Sequence, residues 1–169
     1  VTTNPFDEDY PEVESLARMM DAVLEAVVNV YDQAGVDLPE RRYWTLGETV
    51  ADCEQLTLFV NQIYVGPPGD EAGAPQRCDG PRSANINVQV LRCIPTVSAR
   101  GTRAPTAEQI QEGSRPLAHD MYLLLDSAAQ LERWDPYAGP GLGVIATVDA
   151  TPPQGGYQAV NMTLTMAIP

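Results

Sequence analysis

Hydrophobic positions recur along the chain at two spacings. At the helical spacing, Val13, Leu16, Ala17, Met20, Leu24, Val27, Val28 and Tyr31 form one stripe, with Asp21, Glu25, Asn29 and Asp32 on the other side. Pro11 suits a first helical turn, and Glu12 and Glu14 complement the positive end of the helix dipole. Gly35, followed by Pro39, ends the element. A second helix opens where Thr106 and Gln109 match a capping box, and it continues through Leu117, Met121, Leu124, Leu125, Ala128 and Leu131. Pro116 interrupts that run. A proline there removes a hydrogen bond and clashes with the preceding turn, so the spacing predicts a kink or break, with the longer piece at Pro116–Trp134.

The other spacing is two. Ile86, Val88 and Val90 alternate with Asn85, Asn87 and Gln89, which gives a strand one dry and one wet face. The preceding run, Leu56–Val65, is apolar on both sides at Leu58, Phe59 and Val60, which places it inside a sheet. The two runs pair most simply as an antiparallel hairpin around a Gly/Pro-rich loop, 66–84. A connection of that length usually marks function or disorder. Arg41–Glu48 reads as a short strand ending near Gly47, and Val50–Glu54 turns the chain into the hairpin. Two more strands follow the second helix: Leu142–Ala150, and a last one carrying Val160, Met162, Leu164, Met166 and Ile168. The expectation is an α+β fold of two layers. A mostly antiparallel sheet carries both helices on one face, in the order α-β-β-β-α-β-β. The whole, 1–169, reads as a single domain with a mobile N-terminal arm, 1–10, and the long hairpin loop.

Charge changes this picture more than composition does. The formal net charge is −13, which argues against a basic patch able to grip phosphates. An acidic wall repels a duplex and lets it slide past. All ten basic residues are arginine, which points to a GC-rich coding genome. The segment Val1–Pro11 has no apolar core of a signal peptide, and no run approaches the length of a membrane span.

Candidate chemistry is sparse. His119 is the only histidine, so any Ser–His–Asp or Cys–His system would depend on it. It sits beside Asp120 on the second helix and reads as a surface or structural residue. Cys53, Cys78 and Cys93 lack the spacing of a metal-binding pair, and an odd count argues against a secreted disulfide scaffold. A Cys53–Cys78 or Cys78–Cys93 contact fits the order of elements, as do three free thiols in a reducing cytoplasm. Gly139–Gly143 looks like a phosphate-loop fragment but precedes a strand, so it reads as a turn. Asn161-Met162-Thr163 matches a glycosylation triplet inside a strand, which reads as chance. The long loop gathers Asp70, Glu71, Arg77, Asp79 and Arg82. These are either a solvated loop of mixed charge or a docking element whose Arg forks meet carboxylates on a neighbouring subunit.

Several segments carry a resemblance: Ala51-Asp52-Cys53-Glu54-Gln55-Leu56-Thr57-Leu58, Pro75-Gln76-Arg77-Cys78-Asp79, Arg82, and Val88-Gln89-Val90-Leu91-Arg92-Cys93-Ile94-Pro95. Together they resemble small virion proteins of tailed phages infecting actinobacteria, similar to tail terminator or neck proteins. Outside this central stretch only the layout matches. The resemblance implies a structural protein, not an enzyme, with no cofactor and no metal. Proteins of that kind form a six-fold ring, a hexamer, on the last disc of the tail tube. They stop its growth and offer a surface to the head–tail connector protein. The implied partners are further copies of the chain, the tail tube protein and the connector, with genomic DNA passing through the lumen without specific binding and no membrane contact. The implied location is the virion neck, after assembly in the host cytoplasm. The alternatives are a stopper or adaptor on the head side of the neck and, from a different class, a small enzyme using His119.

Overall fold

The computed structural model describes residues 11–69, 80–94, 104–134, 144–154 and 156–168. The first helix, α1, spans Pro11–Ala34. Met20, Val23, Val27 and Tyr31 are fully buried, and Met19 and Val30 nearly so. The buried stripe is therefore rotated slightly from the predicted one, taking in Val23 while Leu24 and Val28 are half-buried. Gly35 adopts a left-handed φ of 65°. Its amide and that of Val36 bond back to the carbonyls of Asp32 and Tyr31, which satisfies the helix's last acceptors.

Five strands form one sheet in the order β1-β2-β3-β5-β4: β1 Arg41–Leu46, β2 Gln55–Val65, β3 Arg82–Cys93, β4 Ile145–Ala150 and β5 Tyr157–Ala167. The second helix, α2 (Ala107–Trp134), lies in sequence between β3 and β4. Leu56 and Leu58 of β2, Ala84, Ile86, Val88 and Val90 of β3, and Val160, Met162 and Leu164 of β5 are all buried on one face. They join α1 and α2 in a single core. This is the predicted two-layer α+β arrangement, with β2 inside the sheet as its two-sided apolar run requires.

Three details differ from the sequence-based expectation. First, β1 pairs in parallel with β2, Arg41 opposite Gln55 and Leu46 opposite Val60, although the remaining pairs are antiparallel. Residues 47–54 must therefore travel back along the sheet to restart at Gln55. Thr49 and the Val50 carbonyl bond to Thr57 and Gln55, which alternate with the core residues. The return segment thus lies on the face opposite the helices, and Gln55, Thr57 and Phe59 are buried there.

Second, the β2–β3 ladder runs on through Ile63–Ala84, Tyr64–Ser83 and Val65–Arg82, after a bulge between Val60 and Gln62. The connection is therefore 66–81, shorter than the predicted 66–84. The bulge adds a residue to β2 and brings the two strands back into register. Third, α2 is one continuous helix through Pro116. Almost every residue from Ala107 to Pro116 is exposed, and Leu117 is the first buried one. The carbonyl that Pro116 leaves without a partner is thus on a solvated stretch, where water replaces the missing bond. The capping box forms as expected: the Thr106 amide donates to Gln109 Oε1 at 2.9 Å and the Gln109 amide to Thr106 Oγ1 at 3.3 Å.

Candidate functional site

Of the segments that carry the resemblance, the start of β2 and the end of β3 meet at one end of the sheet, Arg82 stands at the other end of β3, and 75–79 lies outside the described residues. Arg92 continues the dry-face alternation Ile86, Val88, Val90, so its side chain enters the layer between sheet and helices. There its Nε donates to Asp120 Oδ2 at 3.0 Å and its Nη2 to Asp120 Oδ1 at 2.9 Å. Asp120 comes from the buried side of α2 and has no exposed surface. Tyr31, on the last turns of α1, donates its hydroxyl to Asp120 Oδ1 at 2.9 Å. The same Arg92 Nη2 also donates to the Asp37 carbonyl at 3.0 Å. One carboxylate thus ties both helices and β3 together.

Electrostatics follow from this geometry. Burial, then the charge of Asp120 and the hydrogen bond to it, push the Tyr31 phenol well above its ordinary value, while Arg92 opposes them. Burial works to lower the pKa of Arg92, but the hydrogen bond to Asp120 and its charge outweigh it, so the guanidinium stays firmly protonated. The bidentate Arg–carboxylate fork is the strong form of such a pair.

Glu54 extends the cluster outward. Its Oε2 accepts from Arg92 Nη1 at 3.4 Å and its Oε1 from the Cys93 amide at 3.0 Å. It does so from a left-handed backbone, φ 57°, the only such non-glycine residue among those described. Asp52 pairs with Arg41 of β1 at 3.0 Å. Cys53, half-buried, and Cys93, exposed, flank the cluster on the outer side of the sheet. The Cys93 thiol is pushed up to about 11, first by its hydrogen bond to the Cys53 thiol and then by desolvation and nearby negative charge. The sequence reading considered Cys78 as the partner of each. The structure brings Cys53 and Cys93 together, and Cys78 lies outside the described residues.

Between β3 and β5 that outer face is a run of amides and hydroxyls. Gln89 donates to Asn161 at 2.9 Å, Thr163 to Asn87 at 3.1 Å, and Thr165 to Asn85 at 2.8 Å. These rungs link β3 to β5 and use polar groups a ligand would otherwise need. Asn161 of the glycosylation triplet is one of them.

Of the five loop residues predicted to dock, Asp70, Glu71, Arg77 and Asp79 lie outside the described residues, as do the arm 1–10 and Gly139–Gly143. Arg82 opens β3 opposite Val65, and its carbonyl accepts from Ile168 at 2.8 Å. Below it, Gly66 donates to the Pro81 carbonyl at 2.7 Å and Ser83 Oγ to the Gly66 carbonyl at 2.6 Å. The long connection therefore leaves from a pinned two-stranded stem. His119 is exposed, while both oxygens of neighbouring Asp120 are taken by Tyr31 and Arg92. That carboxylate is not available to orient the imidazole. Among the described residues no cluster of His, Cys, Asp or Glu could hold a metal ion, and no described helix is long and apolar enough to cross a membrane.

Sequence reasoning missed the Tyr31–Asp120–Arg92 cluster. Its signal was present: one charge of each sign interrupts an otherwise apolar stripe, Asp120 between Leu117 and Leu124, and Arg92 after Val90. In comparisons with known proteins, no protein-family model and no curated protein matches this chain.

Proposed function

We propose that this chain is a structural protein of a phage neck that assembles as a closed ring, capping the tail tube and joining it to the head connector. The observation that carries this reading is the resemblance of segments 51–58, 75–79 and 88–95, with Arg82, to tail terminator and neck proteins. The order α-β-β-β-α-β-β agrees with the layout of those proteins. Glu54, Thr57 and Arg92 of the central segments bond within the chain, as in a scaffold, while Gln55 Oε1 is buried without a partner. The connection 66–81, carrying Asp70, Glu71, Arg77 and Asp79 on a pinned stem, is suited to reach a neighbouring copy. A closed ring needs such heterologous, head-to-tail contacts. A net charge of −13 suits a lumen through which DNA moves without sticking.

Electron microscopy of particles made without this protein tests the reading. Overlong tails without heads are the expected result. Filled heads that leak DNA would instead favour the stopper or adaptor, and normal particles would remove the chain from the neck altogether. Deleting residues 70–79 is expected to leave a folded, soluble protein that no longer caps tubes. Tails of normal length joined to heads in that variant would overturn the assignment of the loop.

A further inference from the structure

We propose that Cys53 and Cys93 are an oxidisable pair, closing into an intramolecular disulfide that staples the return segment 47–54 to the end of β3. The β2–β3 register supplies the first argument. The ladder ends with Gln55 opposite Leu91, which puts Cys53 two residues before that last rung and Cys93 two residues after it, at the same end of the sheet.

The second argument is local contact. The Cys53 thiol is the neighbour that most perturbs the Cys93 thiol. Cys53 Sγ also lies 3.7 Å from the Gly156 carbonyl, which accepts the amide of Ile94, the residue after Cys93, at 3.0 Å. Glu54 holds the same corner by accepting the Cys93 amide. The approach is therefore fixed from both strands. It exists only in the folded sheet, so the bond forms after folding.

The oxidant is a low-molecular-weight disulfide. The exposed Cys93, as thiolate, attacks one of its sulfurs, expels a small thiolate and forms a mixed disulfide. The Cys53 thiolate then attacks the Cys93 sulfur and expels the second small thiolate. Cys53 and Cys93 together lose two electrons and two protons, and the small disulfide is reduced to two thiols. Because the Cys93 thiol is held above its ordinary value, exchange is slow near neutrality and accelerates as the pH rises.

The test uses the full chain and oxidised glutathione, followed by alkylation, trypsin and mass spectrometry without reduction. Cleavage after Arg77, Arg82 and Arg92 leaves the three cysteines on separate peptides. The expected product joins the Cys53 and Cys93 peptides, leaves Cys78 alkylated, and forms equally in Cys78→Ser. The oxidised protein is expected to melt about 10 °C higher, as closing a long loop in the unfolded chain predicts. In Cys53→Ser, Cys93 is expected to stop at the glutathione adduct. Three alkylated thiols, stable glutathione adducts on both Cys53 and Cys93 of the unaltered chain, or a bridge that includes Cys78 would each overturn the proposal.

Discussion

Asp120 accepts a hydrogen bond from Tyr31 and two from Arg92 with none of its surface in water. A buried charge survives only when it is paired and bonded this completely. Removing one partner leaves the other stranded, so Asp120→Ala is expected to destabilise the fold by roughly 3–5 kcal/mol in urea unfolding. Tyr31→Phe removes one hydrogen bond to a charged group and is expected to cost about 2 kcal/mol. The phenol also sets a pH signature. Its pKa is raised on folding, so its contribution is fully present below the ordinary tyrosine value of about 10 and is lost as pH rises beyond it. Stability measured from pH 8 upward should fall more steeply in the parent protein than in Tyr31→Phe. Spacing alone put Asp120 and Arg92 on otherwise apolar stripes, but it carried no sign that the two meet each other and Tyr31. Cys93 shows the converse: its place on the polar side of the β3 alternation was readable, but its neighbour was set by where the return segment meets the end of β3, which spacing within one strand does not contain.

At the scale of elements, helices and strands followed from the sequence wherever a pattern was long. α1, β3 and β5 have unbroken stripes and appear as expected. β1 is short, and nothing in Arg41–Leu46 distinguishes a parallel from an antiparallel neighbour. Its direction is set by the return segment, whose Thr49 and Val50 bond to Thr57 and Gln55. Glu54 completes that segment in a left-handed conformation that costs a non-glycine residue about 1–2 kcal/mol. Glu54→Gly relieves that strain but loses the contacts to the Cys93 amide and Arg92. The expected outcome is a small net loss of stability, with faster amide exchange at Cys93 as the specific readout. α2 makes the opposite case. Pro116 reads as a break, yet the capping box at Thr106 and a solvated helix exterior keep the helix continuous. Pro116→Ala restores the missing backbone hydrogen bond without touching the core, so it is expected to raise stability by roughly 1–3 kcal/mol. A loss of stability would mean that the proline sets a contact the helix needs.

For the whole molecule, the fold class and element order were readable because each layer buries one consistent face. The candidate site was readable only as a set of segments, 51–58 and 88–95, without the reason they belong together. That reason is the corner where the return segment, the end of β3 and both helices are tied by Arg92, Asp120 and Glu54. A corner tied from within positions surfaces, and the proposed work of the protein lies at those surfaces, between copies of itself and its neighbours in the neck. The measurement that bears most directly on this is a reconstruction of the assembled particle at side-chain resolution. The account predicts this chain as a closed six-fold ring between the last disc of the tail tube and the connector, with residues 66–81 of each copy against the next. A particle that lacks the chain, or holds it as isolated copies making no contact with one another, would contradict it.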